Sequence, residues 1–375
     1  MRNIVCLFFI LFFSNLLLSQ FKKSIQESPY KLIKTSTSIN KNNFYDLTKS
    51  LPIKYVKDGS VDYTYYIQKA IDKYDKIIFP NFPIASKGVI LRSNSEIFFQ
   101  ENSKILLIPN SLERYQIIAL HGVENVKLYN INIVGDKGTH LGVKGEWGFG
   151  IDIRKSQNIY IENASINNCW GDGIVISNSS RNNLNPNSKI NTNKISINNS
   201  VINNSRRNGL SIISGNNISI NNLIVNNTFG TAPMSGIDIE PDNNKELLNN
   251  IYIDNLKVFN AYSGIQIHLN NYASKFKSLD INIYLNKIET SNTSVGILVA
   301  GFDKKPDLTL INGKIVINDL FVKNSNREFV KANQYGIYPK IQLKNYKFLK
   351  NGKELYNNEI ELLKYIKDIK GIEYK

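Results

Sequence analysis

Cysteine is almost absent from this sequence: only Cys6 and Cys169 occur among its 375 residues. Cys6 lies in the segment 1–20, where one Arg is followed by an apolar run too short to cross a bilayer and then by small polar residues. We interpret 1–20 as a signal peptide, which leaves Cys169 as the one thiol of the mature chain. No internal disulfide is then possible, and packing must stabilise the fold.

Long apolar runs and acidic charge are also scarce. After residue 20 no stretch is apolar enough to enter a membrane, so we expect a secreted or periplasmic protein without membrane insertion. The 46 Lys and Arg residues outnumber 31 Asp and Glu, which gives a formal charge of +15. A basic protein outside the cell meets polyanions such as acidic polysaccharide, although a Lys- and Asn-rich composition explains the same excess. The repeats lack a basic stripe interleaved with aromatics, so no nucleic-acid partner is expected.

Two short phrases alternate along the chain. The first is a short strand, a polar corner with Asn and a second short strand, and its copies are 125–135, 158–168, 194–204, 217–227, 250–260 and 314–324. The second is a glycine followed by alternating Ile, and its glycines are Gly150, Gly173, Gly209, Gly236, Gly264 and Gly296, spaced by 23, 36, 27, 28 and 32 residues. Period-two strands in coils of this length bury a continuous core when the coils stack. The repeats therefore predict an all-β protein with one parallel β-helix.

The ends of the stack have their own expected structure. An amphipathic segment at 62–72 is predicted to form a helix that covers the open N-terminal end. We assign 21–54 to an N-terminal extension, 55–345 to the β-helix and 346–375 to a C-terminal capping segment. Asn residues at the corners tolerate left-handed backbone, and their side chains can bond to one another across coils.

Outward side chains of the second phrase are expected to line up on one lateral face, because adjacent coils stack ~4.8 Å apart. With Ile inward, one column reads Asp152, Val175, Ser211, Asp238 and Gln266, and the next reads Arg154, Ser177, Ile213, Glu240 and His268. A register slip of one residue would turn Asp238 and Glu240 inward. The charged residues expected together on this face are Asp152, Asp172, Asp238, Glu240, Asp242, Arg206, Arg207 and His268.

Paired carboxyl groups are what glycoside hydrolysis requires, one as acid and one as base or nucleophile. Asp238 and Glu240 are two residues apart on one strand, roughly 6.5–7 Å at ~3.3 Å per residue, which is the low edge of the ~6.5–9.5 Å typical of inversion. Asp172 is two coils away, at roughly 10 Å. We predict Asp172 and Asp238 as the acid–base pair of an inverting hydrolase with Glu240 in support, and keep Asp238 with Glu240 as the alternative pair.

Two interruptions of the coil pattern are expected to form walls beside this face, at 136–147 and 228–234. In or near the first, His140, Trp147 and Trp170 are candidates for a sugar subsite, since an indole stacks on a pyranose. Arg206 or Arg207 is expected to hold an acidic or sulfated sugar. The remaining candidates for substrate binding are His268, Asp152 and Asp242.

Over about 55–340 the chain resembles the pectin-lyase-like β-helix proteins, which include polygalacturonases, polysaccharide lyases, epimerases and phage tailspike depolymerases. The resemblance lies in the segment DYTYYIQKAID…IIFP, the coil ENVKLYNINIVGD and the series of coils that follows. It implies a single right-handed parallel β-helix with an N-terminal capping helix, and an enzyme that acts on a polysaccharide.

The motifs of family 28 glycoside hydrolases are altered here. Asp172 is the only match to that family's three catalytic aspartates. The departures are Phe149 and Gly171 in place of the other two aspartates, Asn208 in place of the histidine, and Asp238 and Glu240 in place of the Arg and Lys that grip galacturonate. Galacturonan is therefore not assumed to be the substrate.

Two other functions stay open. A lyase or epimerase would use Arg206, Arg207 or His268 for proton abstraction, with Ca²⁺ as a possible cofactor, whereas a hydrolase would need no cofactor. A carbohydrate-binding adhesin would need no carboxylate cluster, and its acids would be spread evenly around the coils. Oligomeric state is not indicated by the sequence.

Overall fold

The computed structural model describes residues 39–179, 184–272, 274–300, 309–331, 339–355 and 372–374. The segment 1–20 and most of the predicted C-terminal capping segment lie outside these ranges, so the signal peptide and the C-terminal cap stay predictions. Within the described ranges, no helix has the length and apolar character needed to span a membrane.

The described chain contains one α-helix, α1 (Thr64–Lys73), two short 3-10 helices (Lys41–Asn43 and Leu47–Ser50) and 24 strands. The first strands are β1 (Tyr45–Asp46), β2 (Lys76–Phe79), β3 (Pro83–Ser86), β4 (Val89–Ile90), β5 (Glu96–Phe99), β6 (Lys104–Leu107), β7 (Arg114–His121), β8 (Glu124–Tyr129) and β9 (Asn132–Val134). The middle strands are β10 (Trp147–Arg154), β11 (Gln157–Glu162), β12 (Ser165–Asn167), β13 (Ile174–Ser177), β14 (Asn193–Asn203), β15 (Leu210–Ile212), β16 (Gly215–Thr228) and β17 (Ser235–Ile239). The last strands are β18 (Leu248–His268), β19 (Ser274–Ala300), β20 (Thr309–Lys323), β21 (Arg327–Lys331), β22 (Lys340–Lys350), β23 (Lys353–Glu354) and β24 (Ile372–Tyr374).

Parallel pairing between successive coils builds three sheets around about eight turns. Sheet 1 carries the glycine phrase and consists of β4, β7, β10, β13, β15, β17, the C-terminal parts of β18 and β19, and β21. Sheets 2 and 3 carry the two strands of the Asn phrase, as in β8 and β9 or in the two halves of β14. The predicted parallel β-helix is confirmed.

The core is a set of apolar columns that run along the stack. In sheet 1, Ile151, Ile174, Leu210, Ile237 and Ile265 follow one another in register and are all fully buried. Each such side chain contributes about 1.5–3 kcal/mol through burial. The N-terminal end of the column is covered by α1, whose buried residues are Ile67, Ala70 and Ile71. This helix occupies the segment predicted to form a cap.

The repeated glycine of sheet 1 is required by a close approach to sheet 3. A Cβ atom on Gly209 would lie 2.4 Å from Val225 Cγ1 and 2.5 Å from the carbonyl oxygen of Gly236. The same hypothetical atom on Gly236 would lie 2.4 Å from Val258 Cγ1. All three distances are far inside van der Waals contact, so a larger residue would push sheet 1 away from sheet 3 and from the next coil.

Corner asparagines form ladders along the outside of the stack. Asn158 has φ of 54° and donates its side-chain amide to Asn125 Oδ1 at 2.7 Å, and Asn125 donates to Asn94 Oδ1 at 3.0 Å. A second ladder joins Asn163 to Asn130 at 2.7 Å. Asn is the residue other than glycine that best tolerates this left-handed backbone, and its amide adds a bond to the next coil.

Paired strands extend past the predicted β-helix range of 55–345 at both ends. β1, inside the predicted extension, pairs in parallel with β2, and β22 continues to Lys350. A strand of two residues such as β1 is too short for its alternation to be recognised in a sequence.

Candidate functional site

The outward column of sheet 1 has the register predicted from the sequence. Asp238 pairs with Ser211 on one side and with Gln266 on the other, and its strand neighbours Ile237 and Ile239 fill the core. Asp238 is nevertheless only 2% exposed, because polar side chains of adjacent coils cover it. The carboxyl group therefore lies outside the apolar core but beneath a polar layer.

Asp172 lies in the same buried polar layer. Its Oδ2 accepts hydrogen bonds from Arg207 at 3.0 Å and from Ser211 at 2.8 Å, and its Oδ1 accepts from the backbone N–H of Asn208 at 3.1 Å. Burial raises the pKa of Asp172, and the Arg207 guanidinium and these donors oppose that rise. With both oxygens engaged by protein donors, Asp172 is held as a structural partner of Arg207.

Asn208 connects the two buried aspartates. Its Nδ2 donates to Asp238 Oδ2 at 2.9 Å and to Ser211 Oγ at 3.1 Å, while its Oδ1 accepts the backbone N–H of Ser235 at 2.9 Å. That backbone donor sets the orientation of the amide, because Oδ1 must face it. In the motif comparison of the sequence, Asn208 replaces the histidine of family 28 enzymes. Its position directly before Gly209 was the only feature of the sequence that pointed to a place in the site.

Asp238 and Glu240 have opposite protonation preferences although they are two residues apart. Burial, followed by the negative charge of Glu240, raises the pKa of Asp238 well above its usual range. The pKa of Glu240 is lowered, first by a hydrogen bond from His268. Environments that separate the pKa values of adjacent carboxyls are what assign an acid and a base in catalytic pairs.

Glu240 and His268 form the solvent-accessible part of the site. Their side chains are 30% and 27% exposed, and His268 Nδ1 lies 2.7 Å from Glu240 Oε1. The amide nitrogen of Asn270 lies 2.6 Å from His268 Nε2. With that amide donating, Nε2 is the acceptor, so the imidazole proton sits on Nδ1 and faces Glu240. The exposed residue Asp242 follows on the same chain segment.

Asp238 is one of the neighbours whose hydrogen bonding lowers the pKa of Glu240, so the two carboxyl groups lie beside each other. Inversion needs ~6.5–9.5 Å between carboxyl groups so that a water fits between them, whereas retention needs ~5–5.5 Å. The backbone spacing of Asp238 and Glu240 alone suggested inversion. Because the two carboxyl groups lie beside each other, they do not leave the gap for a water that inversion requires.

Both arginines contact other parts of the protein near the site. Arg207 pairs with Asp172 and lies 3.7 Å from Glu146 Oε2. Arg206 donates to the Gly145 carbonyl oxygen at 2.8 Å and lies 3.8 Å over the Trp170 ring. Both side chains therefore fasten the loop 136–147 to the coil that bears Asp172.

A buried stack lies beneath that loop. His140 stacks on Trp170 with ring centroids 4.1 Å apart and on Tyr115 at 5.8 Å. His140 Nδ1 lies 2.8 Å from Asp136 Oδ2, and the Tyr115 hydroxyl donates to the other oxygen of Asp136. His140 and Trp170 are thus engaged with each other, and the stacking surface expected for a sugar is already occupied at Trp170. The sequence offered no signal for Tyr115 or Asp136.

Trp147 and Asp152 lie apart from the acidic pair. The Arg114 guanidinium lies 3.7 Å over the Trp147 ring. Asp152 is fully buried, and its Oδ2 accepts from His121 Nε2 at 2.9 Å and from Arg154 at 2.8 Å. His121 Nδ1 in turn accepts the backbone N–H of Leu184 at 3.0 Å. Asp152 therefore belongs to a buried cluster that anchors the chain segment near residue 184.

No group of three or more His, Cys, Asp or Glu residues in the described ranges is arranged to hold a metal ion. The expectation that no cofactor is needed stays a prediction, as does Ca²⁺ for a lyase.

Comparison with known proteins gives no matching family model. A curated relative, the uncharacterised protein YclG of Bacillus subtilis, is 29% identical over 213 residues, which is 49% of this chain and 36% of that protein. The uncharacterised protein YorA, derived from the SPbeta prophage of the same organism, is 28% identical over 151 residues, or 38% of this chain and 24% of that protein. The matches thus span about a third and a quarter of these relatives.

Three solved structures are similar over most of the chain. An iota-carrageenase complexed to iota-carrageenan fragments has a TM-score of 0.53 at 12% identity and covers 80% of this chain and 77% of that one. The N-terminal fragment of bacteriophage phi29 gene product 12 has a TM-score of 0.52 at 15% identity, over 84% and 65% of the two chains. The family 28 exopolygalacturonase of Yersinia enterocolitica has 0.50 at 11% identity, over 82% and 75%. The chain is a right-handed parallel β-helix, and its resemblance to such proteins is confirmed at the level of the fold.

Proposed function

We propose that this protein is an enzyme that cleaves glycosidic bonds of a polysaccharide outside the cytoplasm, by hydrolysis. The observation that carries the proposal is the contact between Asp238, which is buried and favours its protonated form, and Glu240, which is half-buried and favours its ionised form. A neutral acid beside a carboxylate on an outward column of the β-helix matches the two-carboxyl requirement of glycoside hydrolysis.

Neighbouring carboxyl groups leave no room for the water that inversion places between them, so a retaining reaction is assigned to the pair in this proposal. Asp238 gives its proton to the glycosidic oxygen as the bond to the anomeric carbon breaks, and Glu240 forms a covalent bond to that carbon. Water then cleaves this glycosyl ester and returns a proton to Asp238, so that both carboxyls are regenerated. His268 keeps Glu240 ionised in the resting state by donating its Nδ1–H.

Substrate access to Asp238 requires one side chain to move. Gln266 covers the carboxyl group with a hydrogen bond of 3.3 Å to Asp238 Oδ1. This is a long contact for an amide donor, so its loss costs little. We infer that a sugar hydroxyl or the glycosidic oxygen takes the place of the Gln266 amide. Asn208 stays in place, because three hydrogen bonds hold it.

Asp172 and Arg207 have a positioning role in this proposal. Asp172 of this ion pair accepts hydrogen bonds from the backbone N–H of Asn208 and from the Ser211 hydroxyl. It thereby positions Asn208, whose side-chain amide donates to Asp238. The stacking of His140 on Trp170, with Arg206 over the Trp170 ring and bonded to Gly145, holds the loop 136–147 as one wall of the substrate groove. The names of two similar structures, a carrageenase and an exopolygalacturonase, are consistent with a polysaccharide as substrate.

The test is a panel of pectic, alginate, sulfated and neutral polysaccharides, assayed for new reducing ends and for ultraviolet absorbance. We expect reducing ends without absorbance, and their loss in both Asp238→Asn and Glu240→Gln. Glu289→Gln is the control, since Glu289 forms an ion pair with Lys323 away from the site. Proton NMR of the first product should show the retained anomer.

Two results would contradict hydrolysis. Absorbance that rises together with the reducing ends would mean β-elimination and transfer the chemistry to His268 or an arginine. Binding of a polysaccharide without cleavage of any would favour the adhesin alternative.

A further inference from the structure

A polar groove runs over the corner between sheets 1 and 2, next to the strand end that carries Glu240. One cleft of about 570 Å³ is lined by Lys155, Asn178, Ser179, Ser188, Lys189, Ile190, Asn191, Asn243, Lys245 and Glu246. A second cleft of about 510 Å³ shares Lys189, Ile190 and Asn191 and continues to Gln157, Asn193 and Asn216. Because the two clefts share three lining residues, they form one groove, here called the corner groove.

Three lysines from separate chain segments meet in the first cleft. Lys155 follows β10, Lys189 belongs to the segment before β14, and Lys245 lies between β17 and β18. Lys155 Nζ donates to the carbonyl oxygens of Pro186 and Ser188 at 3.2 and 3.4 Å, which holds that segment in place. Lys189 and Lys245 have no acidic partner among the described residues, and both are exposed.

The one acid in the lining is Glu246. Glu246 is 7% exposed, and its Oε1 accepts the Asn243 amide at 3.1 Å. Burial raises the pKa of Glu246. The remaining polar groups are the amides of Asn178, Asn191 and Asn243, whose donors and acceptors suit sugar hydroxyls and charged oxygens alike.

The arginines expected to hold an acidic sugar are already engaged elsewhere. Arg207 is paired with Asp172, and Arg206 is bonded to Gly145 and stacked on Trp170. An anionic chain would be held by cationic groups that face an open cleft. Among the clefts described, the corner groove supplies them.

We propose that the corner groove is a binding subsite for the sulfate or carboxylate groups of an anionic polysaccharide, with Lys189 and Lys245 as the ligand-binding cations. This proposal rests on the proposed function, since the groove would hold the part of the chain that extends beyond the bond cleaved at Glu240. The connection is short: Glu240 is the residue after β17, and Asn243, Lys245 and Glu246 follow within six residues. A polymer held there is oriented for cleavage without contact between the lysines and the reacting atoms.

The experiment measures binding separately from cleavage. Fluorescently labelled ι-carrageenan and galacturonate oligosaccharides serve as anionic probes, with a cello-oligosaccharide of equal length as the neutral probe and single-stranded DNA as a non-sugar polyanion. Titrations use the full chain carrying Asp238→Asn, alone and combined with Lys189→Ala and Lys245→Ala. The matched control combines Asp238→Asn with Lys127→Ala and Lys257→Ala, two exposed lysines on the outer faces of sheets 2 and 3.

We expect at least one anionic sugar probe to bind more tightly than the neutral probe and to lose affinity as salt is raised. Removing Lys189 and Lys245 should weaken that binding about tenfold, which corresponds to about 1.4 kcal/mol. The control variant with Lys127→Ala and Lys257→Ala has the same net charge as the variant that lacks Lys189 and Lys245. Its affinity should differ from that of the Asp238→Asn protein by less than about twofold.

Three results would overturn the proposal: equal binding of neutral and anionic sugars, equal loss in both double-lysine variants, or tighter binding of DNA than of either anionic sugar. Absence of binding to both anionic probes would do the same. A wild-type protein that binds through these lysines but cleaves nothing contradicts the proposed hydrolase and leaves the groove proposal standing. A wild-type protein that cleaves polysaccharide, but whose affinity is unchanged when the two lysines are replaced, contradicts the groove proposal alone.

Discussion

Asn208 donates its side-chain amide to Asp238 Oδ2 at 2.9 Å across two neighbouring coils. The same amide reaches Ser211, which donates to Asp172, so one residue joins both buried aspartates. This network explains how a parallel β-helix can bury two carboxyl groups on a lateral face without placing either in its apolar core. Buried polar groups are tolerated only when their partners are in place.

Replacing Asn208 by Asp should disrupt this network. The variant keeps the size of the side chain but places carboxylate oxygens where an N–H group faced Asp238. A further buried carboxyl beside Asp172 and Asp238 costs about 1–3 kcal/mol or more, because its charged form is desolvated and the amide donor to Ser211 is lost. We expect the free energy of unfolding to fall by at least that amount at neutral pH, measured by denaturant titration. Equal stability of the variant and the wild type would show that the orientation of Asn208 is not constrained.

Asp172→Asn should be costly for stability even if it is harmless to the chemistry. It removes the closest charged partner of Arg207, which is 19% exposed and whose next ion contact is Glu146 at 3.7 Å. Breaking a buried pair typically costs about 3–5 kcal/mol. The control Glu289→Gln breaks the more exposed pair with Lys323 and should cost about 0–1 kcal/mol.

Activity measurements on Asp172→Asn distinguish its two possible roles. If the residue only positions Asn208 and Arg207, activity per folded molecule should fall modestly, with a pH profile of unchanged shape. If a well-folded variant is completely inactive and one limb of the pH–activity profile is lost, Asp172 is a member of the catalytic pair, as the sequence predicted.

The raised pKa of Asp238 gives a pH dependence with a defined sign. Its ordinary value is 3.8, and the folded state holds the proton to a higher pH than the unfolded chain does. The folded state therefore loses stability relative to the unfolded chain as pH rises above that ordinary value, at up to about 1.4 kcal/mol per pH unit for one proton. Asp238→Asn keeps a neutral group and removes this dependence.

The measurement is the difference in unfolding free energy between the wild type and Asp238→Asn from pH 4 upward. We expect the wild type to lose stability relative to the variant as pH increases. A constant difference would mean that Asp238 is ionised in the folded protein, which would remove the acid from the proposed reaction.

Corner asparagines offer a test that separates backbone strain from ladder bonding. Asn158 has φ of 54° and donates one ladder bond to Asn125. Asn158→Ala loses the bond and keeps a Cβ in the left-handed region without the side chain that makes Asn tolerant of it, whereas Asn158→Gly loses the bond but also removes the Cβ. We expect the Ala variant to be less stable than the Gly variant by about 1–2 kcal/mol, measured as the difference in unfolding free energy. Equal stability of the two variants would mean that Asn158 stabilises the fold only through its side-chain hydrogen bond.

Much of the fold could be predicted because the repeats are local. Alternating Ile within four or five residues determines which side chains face the core, and the glycines mark the same point in every coil. From this alone, the outward column of Ser211, Asp238 and Gln266 follows in the register that the structure has. The helix at 62–72 and the left-handed asparagines follow from equally local patterns.

The chemistry of the site depended on contacts between distant residues. Asp172 meets Arg207 and Ser211 across 35 and 39 residues, and Asn208 meets Asp238 across 30. Trp170 is held by His140 and Arg206, so the stacking role expected for it is already filled within the protein.

The sequence by itself determined the β-helix, its register and the face on which the acids gather, because period-two alternation and close glycine packing act over a few residues. Only the tertiary structure decided which acids are buried, which are paired and that Asp238 touches Glu240. Those properties arise from how side chains of adjacent coils and interrupting loops cover one another, and the length of an insertion does not specify where its side chains come to rest.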